Sequence, residues 1–245
     1  DTLTSLSAGA YQFFGGGAGD DAKFSQTHVF IGNEAFTDGV VGLEILSHNP
    51  LGIGVQHGWE PTGDLMRVTE AEGMKLVSLN SVPAAEVFEE YAKVTSQTFN
   101  SADPIPFFLH NTLAIQTKDG FKLRVPLAVL PDGSVMCASN IPKGATISFM
   151  KSTASSSVLA AKTAVDTALS NLNGRKAGAA LFFDCVATRL RMGKEFGLEL
   201  ETLENSLGSE TKLAGCNTYG QIARVDGQFS GFHNCTAVVC IFPES

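Results

Sequence analysis

The stretch Gly215-Cys216-Asn217-Thr218-Tyr219-Gly220-Gln221-Ile222-Ala223 and its continuation Phe232-His233-Asn234-Cys235-Thr236-Ala237-Val238-Val239-Cys240-Ile241-Phe242 hold the chain's densest mix of β-forming residues and polar groups. β-Branched and aromatic residues on both sides of a Gly-containing turn predict a hairpin of two strands. Alternation along the second strand sets His233 and Cys235 on one face and Asn234 and Thr236 on the other. One pocket could use all four only across a bulge.

Immediately upstream the rhythm is helical. Ser155-Ser156-Ser157 predicts a cap for a helix with apolar positions Val158, Ala161, Val165, Leu169 and Leu172, ended by Asn173-Gly174. Residues 177–186 form a nearly continuous apolar run, the pattern of a strand buried on both faces. A second helix carries Phe196, Leu200, Leu203 and Leu207 and stops at Gly208. With the hairpin this gives a C-terminal unit in the order helix, strand, helix, strand, strand, strand, with helices packed on a sheet.

The first half reads as mostly β. Strands are predicted at 27–32, 39–47, 53–59, 65–69 and 75–79. A helix then starts at Pro83, with Val87, Tyr91 and Val94 along one face. Further strands follow at 113–117, 122–130, 134–138 and 146–150, with Asp119-Gly120 and Asp132-Gly133 as turns. The fold class is therefore α/β in the mixed α+β sense, with largely antiparallel and mixed sheets and helices packed on them.

Composition narrows the function classes. The 245 residues are 44% hydrophobic and 17% charged, ordinary for a chain with a buried core. A net charge of −8 argues against a general nucleic-acid or anionic-membrane surface, which needs clustered Lys and Arg. The five cysteines (137, 185, 216, 235 and 240) have no framework spacing. That suits free, mostly buried thiols in a reducing compartment, so a cytoplasmic protein without membrane insertion is expected. The sequon Asn234-Cys235-Thr236 reads as chance in such a protein.

Motifs of known chemistry are weak. Gly15-Gly16-Gly17-Ala18-Gly19-Asp20-Asp21 lacks the Lys and Ser/Thr of a phosphate loop, and its two acids would repel phosphate. It reads as a tight turn, and no spaced carboxylates complete a cation cage around Asp20 and Asp21. His233, Cys235 and Cys240 lack paired zinc-ligand spacing, so no metal site is expected. No Gly-x-Ser-x-Gly elbow is present, and Cys216 with His233 is the nearest approach to a nucleophile and base. His57 and Trp59, at the end of a strand, could floor a planar-ligand site. Arg189 follows the buried strand, where open α/β sheets bind ligands.

These segments together carry a resemblance. Gly15 to Asp21, His57-Gly58-Trp59-Glu60-Pro61-Thr62-Gly63, Val68-Thr69-Glu70-Ala71-Glu72-Gly73, Pro83-Ala84 with Tyr91, Cys185 with Arg189, Thr218-Tyr219-Gly220-Gln221-Ile222-Ala223 and His233-Asn234-Cys235-Thr236 occur in the order seen in the FIST family. In this sense the chain resembles a sensory domain found in bacterial and archaeal signalling proteins and in one eukaryotic F-box protein. It departs from the family pattern at Gln221, where Glu is usual, and at Cys235, where Gln is usual. The resemblance divides the chain into the end of an N-terminal half at 1–56 and a C-terminal domain at 57–245.

The resemblance implies a small-molecule-binding sensory domain rather than an enzyme, with an amino acid or related metabolite as ligand. Arg189, Tyr219, Gln221, His233, Asn234, Thr236, His57 and Trp59 are the expected ligand-binding residues. It also implies an alternative, a haem-binding nitric-oxide sensor with His57 or His233 as axial ligand, regulating a partner histidine kinase. A third reading is a thiol-dependent hydrolase or transferase using Cys216 or Cys235.

Overall fold

The computed structural model describes residues 2–118, 120–224 and 231–244. The chain forms two compact units that divide at Gly58/Trp59 and again at Thr153/Ala154. The first unit is discontinuous in sequence, and the second is the contiguous segment between its two parts.

The first unit is built on a four-stranded mixed sheet. Its strands and helices are β1 (Phe13–Gly16), β2 (Gly52–Gln56), α1 (Ala154–Ser170), β3 (Ala177–Cys185), α2 (Val186–Met192), α3 (Gly197–Leu207), β4 (Lys212–Thr218), β5 (Gln221–Arg224), β6 (Phe232–His233) and β7 (Ala237–Pro243). The sheet order is β4-β3-β7-β2, with β3 and β4 parallel and the other pairs antiparallel. A second sheet, β1-β5-β6, is antiparallel. A short helix (Thr2–Leu6), a small hairpin (Val29–Ile31 with Glu34–Phe36) and a 3-10 turn (Gly193–Phe196) complete the unit.

Helix α1 packs on the sheet through small residues. Its buried face is Ser157, Ala160, Ala161, Ala164, Val165 and Ala168, and Leu172 just beyond is also buried. Opposite this face β2 presents glycine. A Cβ built at Gly54 would lie 1.8 Å from the Ala164 carbonyl oxygen, and one at Gly52 would lie 2.0 Å from that of Ala168. Real Cβ atoms do not come this close, so strand and helix backbones touch because both positions are Gly. Asn171 Nδ2 donates to the Ile53 carbonyl at 3.0 Å and Ser156 Oγ to the Gly58 carbonyl at 2.7 Å, tying both ends of the contact.

The second unit is a nine-stranded antiparallel sheet. Its main path runs Gly120–Arg124, Thr112–Thr117, Thr146–Lys151, Met66–Glu72, Lys75–Leu79, Val135–Cys137, Pro126–Val129, with Glu60–Pro61 and Val82–Pro83 pairing at its flanks. The helix Ala84–Val94 buries Ala84, Ala85, Phe88 and Ala92 against it. Phe88 packs edge-on against Phe108 and Phe149, and Tyr91 stacks on Phe149 with centroids 3.8 Å apart.

The mixed α+β class agrees with this architecture, and several details differ. Residues 39–47 are not a strand, and the expected strand at 27–32 shortens to Val29–Ile31, paired with Glu34–Phe36. The helix after Pro83 buries Phe88 and Ala92, with Val87 and Tyr91 partly buried against the same core, and leaves Val94 exposed. Ser155 to Ser157 lie inside the first turn of α1 rather than before it.

The stretch from Gly215 onward is not one hairpin. It supplies four strands to two sheets: β4 and β7 flank β3, while β5 and β6 pair with each other beside β1. Asp119 and residues 225–230, which include the anticipated Gly-containing turn, lie outside the described residues.

Candidate functional site

Strands β3 and β4 run parallel and end level, with Cys185 opposite Thr218. The chain leaving β4 turns at Tyr219-Gly220 and enters β5. The chain leaving β6 turns through Asn234, Cys235 and Thr236 into β7. Cys235 has φ of 47°, in the left-handed region that non-glycine residues seldom occupy. This breaks the alternation expected along the segment, and Asn234, Cys235 and Thr236 are all buried. Asn234, Cys235 and Thr236 thus form a junction between β6 and β7 rather than a continued strand, and His233 stays in β6.

Gln221 organises the result. It is 0% exposed. Its amide nitrogen donates to Thr218 Oγ1 at 2.9 Å and hydrogen-bonds the Cys185 sulfur, while its oxygen accepts from the Thr236 N–H at 3.3 Å. Thr218 Oγ1 in turn donates to the Asp184 carbonyl, and Thr236 Oγ1 to the Asn234 carbonyl. The two departures noted from the family pattern, Gln221 and Cys235, are thus both partners of Cys185. A Glu at 221 has no N–H to offer the sulfur or Thr218.

Next to this lies an acidic pair absent from the expected site. Asp184 is 1% exposed and Glu199, on α3, is 2% exposed. Burial, then the neighbouring Glu199 charge, raises Asp184 well above the usual carboxylate range. Burial pushes Glu199 up to about 7, against the opposing effects of the Asp184 hydrogen bond and the Arg191 charge. Asp184 therefore keeps its proton and donates it in the bond to Glu199. Arg191 reaches the cluster from α2 and donates to Ser157 Oγ on α1. Asp184 Oδ2, Glu199 Oε2 and Thr188 Oγ1 are buried without hydrogen-bond partners among the described residues.

The sequence held a signal for both acids. Asp184 interrupts an otherwise apolar strand. Glu199 lies at helical spacing between Phe196 and Leu203, on the inward face.

The other expected site residues disperse. Arg189 is exposed, donates to the Gly193 carbonyl at 2.9 Å and lies over the Phe196 ring. His57 is half-buried just beyond β2, and Trp59 is buried in the second unit. His233 Nε2 is bonded to the Ala223 carbonyl at 3.0 Å. Since a carbonyl only accepts, that nitrogen carries a proton and does not fit the role of a haem ligand as the ring stands. Cys216 lies on the exposed edge strand β4, opposite Phe183, whereas His233 pairs with Gln221 in the other sheet, so the two do not form a nucleophile and base. No group of three or more His, Cys, Asp or Glu that could hold a metal occurs among the described residues.

Tyr219 has a different task. The Gly-rich segment lies directly on the Tyr219-Gly220 turn: Gly17 N–H donates to the Gly220 carbonyl and Tyr219 N–H to the Gly17 carbonyl, each at 2.9 Å. A Cβ at Gly16 would fall 2.3 Å from Thr218 Cγ2, so this glycine permits the approach. Asp20 then accepts from the backbone of Phe24, Ser25 and Gln26, from Ser25 Oγ and from the Tyr219 hydroxyl. The Tyr219 bond leads the effects holding the Asp20 carboxyl far below its ordinary range. Phe24 stacks on the Tyr219 ring at 4.8 Å. Asp20 is an anchor for residues 20–26, with its oxygens committed to five donors.

Trypsin cleavage at Lys23 reads this anchor. Asp20→Ala should speed it on the order of tenfold, the ratio expected for losing a charge-assisted bond, and Tyr219→Phe by less. Unchanged cleavage in both variants would remove the anchoring role.

Comparison with known proteins fits the pieces together. The FIST N domain matches residues 1–81 and the FIST C domain matches residues 84–224. The chain belongs to the FIST family. FIST domains are sensory signal-transduction domains. Two curated relatives, "Uncharacterized protein Mb0898c" of Mycobacterium bovis and "Uncharacterized protein MT0897" of Mycobacterium tuberculosis, are each 27% identical over 235 residues. Each alignment covers 94% of this chain and 60% of the relative, so the FIST chain here spans about three-fifths of their length. No solved structure matches it. Among the described residues no helix is long and apolar enough to cross a membrane.

Proposed function

We propose that this FIST chain is the ligand-sensing part of a signalling protein, and that it takes a small amine-bearing metabolite, such as an amino acid, beside the ends of β3 and β4. The observation that carries the reading is the buried carboxyl pair, whose Asp184 Oδ2 and Glu199 Oε2 lie without donors beside the Thr188 hydroxyl. Native interiors pair nearly all buried polar atoms, and carboxyl oxygens left without donors suit a donor-rich partner. An ammonium group supplies three donors, and Glu199, poised to ionise near neutrality, supplies the balancing charge. Gln221, Asn234 and Thr236 hold the turns that frame the cluster. Arg189, already bonded to the Gly193 carbonyl, and Trp59, in the second unit, are not needed by this site. The output passes to a signalling partner such as a histidine kinase.

A thermal-shift screen of amino acids, amines and organic acids tests the proposal. An amine-bearing ligand at about 100 times its Kd stabilises by about 2.7 kcal/mol, and Glu199→Gln should abolish that shift. Stabilisation by none of the amines, with a Soret band on adding haem that is lost in His57→Ala, would replace this reading by haem sensing.

A further inference from the structure

Of the five thiols, Cys137, near the Arg124 charge, and Cys240 are buried, and burial raises each to about 12. Cys216 is exposed and likewise raised. Cys185 and Cys235 are different, because they touch. The β3–β7 register pairs Phe183 with Val238, and carrying it two residues further sets Cys185 opposite Thr236, the neighbour of Cys235. The Cys235 thiol and backbone N–H both hydrogen-bond the Cys185 sulfur, as does the Gln221 amide. With the Ala187 N–H, four donors on one sulfur favour its thiolate, and Cys185 is brought down to about 6, chiefly by the Cys235 thiol and against burial. Cys235 is raised by the same bond. The left-handed backbone at Cys235 holds its side chain in this contact. Asp184 faces both thiols and Arg191 faces Cys235.

We propose that Cys185 and Cys235 form an oxidisable dithiol, a modification site at which a small peroxide converts the pair to a disulfide. The Cys185 thiolate attacks hydrogen peroxide. The O–O bond breaks, sulfur takes one oxygen as sulfenic acid, and the other leaves as water after gaining a proton. The Cys235 sulfur then attacks the sulfenic sulfur. The S–S bond forms, the S–O bond breaks, and a second water leaves with the Cys235 proton. Two thiols and one peroxide thus give one disulfide and two waters. Cys185 and Cys235 are buried, at 4% and 5% residue exposure, so the oxidant must be small. The step does not depend on the ligand proposed above.

The test uses the Cys216→Ser chain, which removes the exposed thiol and leaves four. After hydrogen peroxide, catalase, unfolding and alkylation, the titratable thiols should fall from four to two. Mass spectrometry should find a tryptic peptide containing Cys185 joined to the one containing Cys235, two hydrogens lighter, with fragment ions that exclude Cys240. Adding Cys235→Ser should stop at a Cys185 sulfenic acid that dimedone traps. Four thiols retained under conditions that oxidise a small-molecule dithiol, a bridge to Cys137 or Cys240, or Cys185 recovered as sulfinic acid beside a free Cys235 would each overturn the proposal. Peptide mapping of the Cys216→Ser chain, with Cys235 intact, decides the matter even if the chain carrying Cys235→Ser does not fold.

Discussion

Gly54→Ala should destabilise the first unit by roughly 3 kcal/mol or more, a larger effect than most core substitutions produce. The added methyl would sit 1.8 Å from the Ala164 carbonyl oxygen and 2.8 Å from its carbonyl carbon, both backbone atoms of α1. No rotamer relieves a clash between two backbones, so β2 must leave β7 or α1 must leave the sheet. Either movement also loses the Asn171 bond to Ile53. Gly42→Ala is the control: its Cβ would meet nothing within 4 Å. Hydrogen exchange across β2 and β7 should collapse in the first variant and stay unchanged in the second. A Gly54→Ala chain within 1 kcal/mol of the parent would mean that the strand and helix are not in backbone contact.

The second large effect is a pH dependence from the buried acids. Burial raises Glu199 from an ordinary 4.5 to about 7, and the folded unit therefore binds a proton that the unfolded chain has released. Stability from this group is complete below about pH 4.5 and declines as pH rises through 7. The span corresponds to about 3 kcal/mol. Cys185 acts in the opposite sense. Its lowered value adds stability as pH rises from about 6 towards the ordinary thiol range. The parent chain alone would mix the two trends, so the difference between Glu199→Gln and the parent is the useful quantity. Between pH 5 and pH 8 that difference should move in favour of the variant by up to about 3 kcal/mol, read as exchange protection of β3 and β7. Parallel pH profiles for the two chains would place Glu199 in contact with water.

How much of this was legible in the sequence depends on what each residue answers to. The apolar run ending at Cys185, the Ala-rich helix before it and the β-forming residues after Lys212 are local patterns, and they fixed the mixed class. The assignment of β4, β5, β6 and β7 to two sheets is not local. It follows from which edges β3 and β1 leave open, and no periodicity reports that. Cys235 shows the same limit: its left-handed backbone is imposed by the junction between β6 and β7, and alternation assumed a straight strand. The polar residues at 221, 234 and 236 stand in recognisable motifs. Asp184 and Glu199 were passed over because each lies inside a segment whose apolar neighbours dominate the reading.

The position of β7 has a consequence for how the molecule comes into being. It follows every other described strand in sequence, yet it lies inside its sheet, between β3 and β2. On a ribosome that synthesises from the N-terminus, β2 emerges before the whole second unit and has no neighbour in its sheet to pair with until β7 has followed. The contiguous second unit, with all its strands in hand by Lys151, can collapse long before that. The Gly-rich β2 carries little exposed side-chain surface during this wait, and the same glycines that admit α1 leave it a poor template for mispairing. The seven-residue β7 then completes the sheet, pairing with β2 across the whole sequence of the second unit.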